Sequence, residues 1–201
     1  MSVFLGIERP FSADVVGAYG ENYRAPLLGT VLAPPVGQTV PLHSVGTTPL
    51  TTVTATVHCA SIVLPQNQPI ARVGLCAVTA GTVTGYWVAL LDSGLIVRAV
   101  SANAVTVTAG HALTSVLPAS SVPIVTAYSG LFYIAVGTVS SAAPTLASQA
   151  ALPSVASVSG PPVYCGTSAT AATTTPPAVG TQLGALTGVA SNQFYAGVYA
   201  S

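Results

Sequence analysis

The sequence predicts an all-β fold: an antiparallel β-sandwich of jelly-roll type, preceded by an extended N-terminal arm. Three observations predict it. From residue 51 apolar and hydroxyl residues alternate, with Val53, Ala55 and Val57 against Thr52, Thr54 and Thr56; a period of two marks a strand with one apolar face. Turn residues recur at a spacing of roughly 8–12 residues, the rhythm of a sandwich or barrel. Thr, Val, Gly and Pro dominate, and no long stretch carries the 3.6-residue period of a helix.

Residues 1–50 read as an assembly arm. Five of the eight formal charges (Glu8, Arg9, Asp14, Glu21, Arg24) lie in the first 24 residues, and Pro26, Pro34, Pro35, Pro41 and Pro49 follow. Prolines this frequent disfavour both helix and central strand. Such a segment docks on a neighbouring subunit or serves as a flexible leader; for docking, the expected contacts are Phe4, Arg9, Phe11, Tyr19, Tyr23 and Arg24.

Residues 51–201 read as the sandwich domain. After the first strand, Pro65–Pro69 forms a turn into a second strand over Ile70–Val78. Tyr86–Leu91, the turn Asp92-Ser93-Gly94 and Leu95–Val100 form a hairpin. Further strands are expected at 104–108, 112–117, 123–127, 131–138, 155–158, 163–165 and 194–199. The low-complexity stretch 166–193 reads as an irregular surface crossing.

Two of these strands are apolar on both sides. In Tyr86–Leu91, Tyr86, Val88 and Leu90 point one way and Trp87, Ala89 and Leu91 the other; Leu131–Val136 repeats the pattern. A strand with one wet face should alternate with polar residues. The second face therefore belongs to a thick core or needs a cover: the arm, a C-terminal segment or another subunit.

Charge is the scarcest property. Only 4% of residues are charged, there is no Lys, and no formal charge on a side chain follows Arg98. Exposed strand edges are usually blunted by charged side chains, so here Pro, loops or self-association must protect them. Nucleic acid is excluded as a partner, because phosphate neutralisation needs clustered Lys and Arg. Mean hydropathy is +0.71, yet no run of about 20 residues is free of Pro, Gly and repeated Thr or Ser, and no membrane partner is expected. The N-terminus lacks the basic and long apolar regions of a signal peptide, which implies assembly in a cytoplasm.

Candidate chemistry is sparse. Acid–base cleavage of a glycoside needs paired carboxylates, but Asp92 is the lone acid after Glu21 and sits in a turn. No G-x-S-x-G elbow is present. His58 and Cys59 are adjacent and so face opposite sides of a strand; with Cys76 they lack the close paired spacing of a zinc site. His43 and His111 stand alone. The odd count of three cysteines (Cys59, Cys76, Cys165) points to buried thiols rather than a disulfide framework. No cofactor, no metal and no catalytic residue is expected. Tyr128, Tyr164, Tyr195 and Tyr199 lie near expected loops or edges, where they could stack on a host-surface glycan or belong to an interface or the core.

Several strand patterns resemble a β-sandwich module of minor tail and fibre-like proteins of tailed phages, especially those of actinobacterial hosts. They are Val73-Gly-Leu-Cys-Ala-Val78, Trp87-Val-Ala-Leu-Leu-Asp-Ser-Gly-Leu95, Tyr128-Ser-Gly-Leu-Phe-Tyr-Ile-Ala-Val136 and Ala143-Pro-Thr-Leu146. Gly180-Thr-Gln-Leu-Gly184 and Phe194-Tyr195-Ala196 complete the set. The resemblance implies a non-enzymatic virion protein, either a capsid decoration or a minor tail subunit. Its partners would be copies of itself, a trimer among the options, and other capsid or tail proteins. A host cell-wall glycan is the alternative ligand. The chain has neither a coiled coil nor a Gly-X-Y stalk, which argues against a distal fibre.

Overall fold

The computed structural model describes residues 35–40, 45–46, 49–107, 124–150, 165–188 and 192–199. The arm contacts Phe4, Arg9, Phe11, Tyr19, Tyr23 and Arg24 lie outside the described residues. So do Tyr164, His43, His111 and the strands expected at 112–117 and 155–158.

The described chain has no helix and sixteen strands. They are β1 (Gly37–Gln38), β2 (Leu50–Thr51), β3 (Thr56–Leu64), β4 (Pro69–Ile70), β5 (Arg72–Leu75), β6 (Ala77–Thr79), β7 (Thr82–Leu91) and β8 (Val97–Val100). The rest are β9 (Ile124–Val125), β10 (Gly130–Ala142), β11 (Thr145–Leu146), β12 (Ser148–Ala150), β13 (Cys165–Ala171), β14 (Leu186–Gly188), β15 (Asn192–Phe194) and β16 (Ala196–Tyr199). The fold is all-β and sandwich-like, and all strand pairs are antiparallel.

The principal sheet has six strands in the order β14-β13-β3-β10-β7-β8. Against it lie two three-stranded sheets, β1-β16-β5 and β2-β11-β6. The main core fills the space between. The large sheet contributes Ile62, Leu64, Val88, Leu90, Ile134 and Val136; the three-stranded sheets contribute Val73, Leu75, Leu146, Ala196 and Val198, and Phe194 enters from β15, which pairs with β12.

The doubly apolar strands behave as their sequence requires. Tyr86, Val88 and Leu90 of β7 enter the main core, while Trp87, Ala89 and Leu91 join a second cluster on the opposite face with Val57, Cys59, Tyr133 and Ala135. That second face is covered by a C-terminal segment, residues 172–185, which contributes Ala172 and Leu183 to the cluster.

The structure corrects several boundaries. The period-two run does not continue from 53 to 57: Thr54 and Ala55 form a turn, Ala55 has φ of 57°, and β3 starts at Thr56. The expected strand 70–78 is three short strands in three different sheets, β4 with β9, β5 with β16 and β6 with β11. Breaks at Ala71 and Cys76 let the chain step from sheet to sheet around the corner of the sandwich. Of the strand expected at 104–108, the described residues 104–107 give isolated bridges, Tyr86 to Ala104 and Gly81 to Val107. The stretch read as an irregular crossing begins with β13, which pairs with β3 from Cys165–Ala60 to Thr167–His58. Small Gly, Thr, Ser and Ala side chains made it look loop-like, but they also let it lie as a near-edge strand. One short strand, β1, falls within the stretch read as arm and pairs with the C-terminal β16, and β2 straddles its end at Leu50.

Candidate functional site

Two places concentrate specific polar geometry. The first is the turn between β7 and β8. Asp92 is buried, and its Oδ1 accepts the backbone N–H of Gly94 at 2.9 Å and of Ile96 at 3.0 Å. Its Oδ2 accepts Nε of Arg98 at 2.9 Å and also Nη2. Burial alone would raise the Asp92 carboxyl; the Ile96 N–H, Arg98 and Gly94 N–H outweigh it and hold the carboxyl below its ordinary value. Leu95, at φ of 62°, completes the turn. Both oxygens of this carboxylate are engaged in shaping the hairpin, the geometry of an Asx-type turn residue.

Tyr128 clamps the same turn from the side. Its hydroxyl accepts the Ser93 N–H at 3.0 Å and lies 3.1 Å from the Leu131 carbonyl, to which it donates. Its ring stacks on Phe132 with centroids 4.7 Å apart. One ring face and the hydroxyl are thus occupied within the fold. Tyr195 and Tyr199 are both buried. They flank Gly197 on one side of β16, and a Cβ at Gly197 would sit 3.0 Å from each of their hydroxyls. Among the described residues, the tyrosines singled out for glycan stacking do not come together as an open platform.

The second place is the segment 172–185, a strap over the second apolar face. It leaves β13 at buried Ala172, and the Thr173 carbonyl accepts Nε1–H of Trp87 at 3.0 Å. Thr174 then passes over Gly85, where an added Cβ would lie 2.8 Å from its Cα. Further on, the strap seals the edge of β8. Gly180 N–H donates to the Val97 carbonyl at 2.8 Å, Val97 N–H to Thr181 at 2.9 Å, and Leu183 N–H to Leu95 at 3.0 Å. It returns beside its own origin, with Gly184 N–H on Thr170 Oγ1 at 2.7 Å and Ala169 N–H on the Ala185 carbonyl at 3.0 Å. Ends this close define an Ω-type loop packed by its own side chains. Sequence reasoning missed its anchors. Gly137, inside an otherwise apolar strand, was the available signal: it faces Trp87 across the β10–β7 pair, and the indole lies directly on it.

No group of three or more His, Cys, Asp or Glu among the described residues could hold a metal. Cys59 belongs to the second cluster, and burial pushes its thiol up to about 12. Cys76 sits elsewhere, with Val40, Ala147 and Tyr195. The three cysteines are thiols, not disulfides.

The outer surface has a distinct chemistry. Among the described residues the exposed charged side chains are Arg72 and Arg98, whereas Val53, Val63, Val78, Val105, Val125 and Val179 are all exposed. Among the described residues, exposed valines outnumber exposed charges. No protein-family model matches the chain, and no curated protein does.

Proposed function

We propose that this chain is a non-enzymatic structural protein of a tailed-phage virion, docking on capsid or tail neighbours as a decoration or minor tail subunit. The observation that carries the reading is the charge-poor, valine-bearing surface of the described residues. Such a surface has little electrostatic repulsion and associates readily, which suits a subunit that spends its life against neighbours, including copies of itself. The resemblance of its strand patterns to those of phage tail and fibre modules is in keeping with this reading. The titratable groups of the described chain add support: Asp92 is consumed by a turn, and the thiols are buried or partly buried.

The test is quantitative mass spectrometry of purified particles, followed by reconstruction of particles carrying a labelled chain. Fixed stoichiometry with label at regular positions on the shell or tail is the expected result. Absence of the chain from salt-washed particles would overturn the proposal. Label confined to the tail tip would instead favour the glycan-binding alternative.

A further inference from the structure

The corner between β2 and β3 is a node of hydrogen bonds. Val53 N–H donates to Nε2 of His58 at 3.2 Å. Thr56 N–H donates to the Val53 carbonyl at 3.2 Å, and Ala55 N–H to the Thr138 carbonyl at 2.8 Å. Ala172 N–H donates to the Ala55 carbonyl at 3.0 Å, which ties the corner to the root of the strap. Ala55 occupies the left-handed region at φ of 57°. That conformation is uncommon for alanine and persists only where surrounding bonds over-determine it.

His58 is 7% exposed. Because its Nε2 accepts an N–H, that nitrogen carries a lone pair, and the ring is neutral with its proton on Nδ1. A second proton would turn Nε2 into a donor facing another donor.

We propose that His58 is a proton-operated latch: the neutral ring holds the 53–55 corner and the strap root at Ala172 closed, and the imidazolium releases them. This inference is independent of the virion reading. Among the described residues no charged group accounts for the state of the ring; burial does. β10 faces His58 with Val136, and β13 faces it with Thr167. The nearby titratable groups on the packed strands are Cys165 of β13 and Tyr86 of β7, both raised by burial and so neutral through mildly acidic and neutral pH. Cys59 points to the opposite face. The carboxylate among the described residues is Asp92, beyond the end of β7.

Burial lowers the His58 imidazole below its ordinary 6.5. The unfolded or opened corner therefore binds the proton first. The latch is fully closed above 6.5, weakens as pH falls from 6.5 towards the folded value, and changes no further below that value. Within the window the opening equilibrium rises by up to about tenfold per pH unit.

The test is amide hydrogen exchange of the full chain by NMR, from about pH 8 to about pH 5, corrected for intrinsic rates. The Val53, Ala55 and Ala172 amides are expected to lose protection together, by up to about tenfold per unit, while the Ile96 amide does not change. In H58Q the side-chain carbonyl offers an acceptor that does not titrate, so the three amides should keep a flat profile. A flat profile in the wild-type chain while the His58 ring resonance titrates would overturn the latch, as would an undiminished slope in H58Q. If H58Q does not fold, the wild-type titration decides by itself.

Discussion

Substituting Gly137 by alanine should be among the most damaging changes that a single methyl can cause in this chain. The new Cβ would lie 2.2 Å from both Cε2 and Cζ2 of Trp87, and 2.8 Å from Cδ2. These are rigid ring atoms, so the indole must move as a whole. It has little room, being 2% exposed and tied by Nε1 to the Thr173 carbonyl. If the sheet strains to accept the methyl, overpacking costs about 1–3 kcal/mol. If the indole is expelled, the loss approaches the roughly 3–5 kcal/mol of deleting a buried Trp, and one hydrogen bond worth about 1 kcal/mol goes with it. The expected destabilisation is therefore about 3 kcal/mol, or a fall of roughly 6–12 °C in Tm for a domain of this size. The chain holds one Trp, so its emission reports the site directly and should shift to the red in native buffer. Urea denaturation of G137A, W87A and the double variant supplies the decisive cycle. In the W87A background the methyl meets no ring, and G137A should be close to neutral. A cost below about 0.5 kcal/mol in the wild-type background, the range of an ordinary surface change, would refute the close approach of Trp87 to the strand.

Further outcomes follow from the same contacts. Leu183→Ala removes the buried anchor of the strap and should cost about 2–4 kcal/mol by urea titration, with protease cleavage appearing within 173–182. Tyr128→Phe keeps the stack on Phe132 but removes the hydroxyl that takes the Ser93 N–H; a loss of about 1 kcal/mol is expected, read as a shift of the urea midpoint at constant slope. Asp92 contributes stability that is present above its ordinary value of 3.8 and lost as pH falls through its lower folded value. Asp92→Asn should therefore flatten the acid limb of a stability–pH curve, with little change attributable to the Arg98 pair itself, because that side chain is 51% exposed.

Where residue type dictates direction, the sequence was readable. The alternating partners of Tyr86–Leu91 announced two apolar faces, and the structure supplies both a main core and a second cluster. Asp92-Ser93-Gly94 announced its turn for the same local reason, a short carboxylate bonding its own backbone. Long-range closure was not readable. Thr173 to Leu183 look like linker because Thr, Pro and Gly dominate and no period shows, yet their backbone groups cover Trp87 and seal β8. Backbone pairing leaves no trace in composition. Ala55 shows the converse failure: its alternation with threonines fits a strand, but tertiary bonds from Thr138, Ala172 and His58 to its corner override that local pattern. The tyrosines follow this logic too. Tyr195 and Tyr199 share a side of β16 with Gly197 and turn inward over it, an outcome set by neighbouring sheets rather than by their own segment.

The pairing of Arg98 with Asp92 is the one ion pair among the described residues, and this has a bearing on the solution conditions the fold can meet. Between about 0.01 M and about 1 M salt the screening length shrinks from roughly 30 Å to roughly 3 Å, which reshapes the energetics of any protein held by charges. Apart from that half-exposed pair, the described residues are held by apolar contact and by backbone and hydroxyl dipoles at short range, which screening does not reach. The midpoint of unfolding should stay nearly level from dilute buffer to brine, apart from the general salting-out that strengthens apolar burial. The described residues thus form a body whose own folding is nearly indifferent to the ionic strength of the water around it.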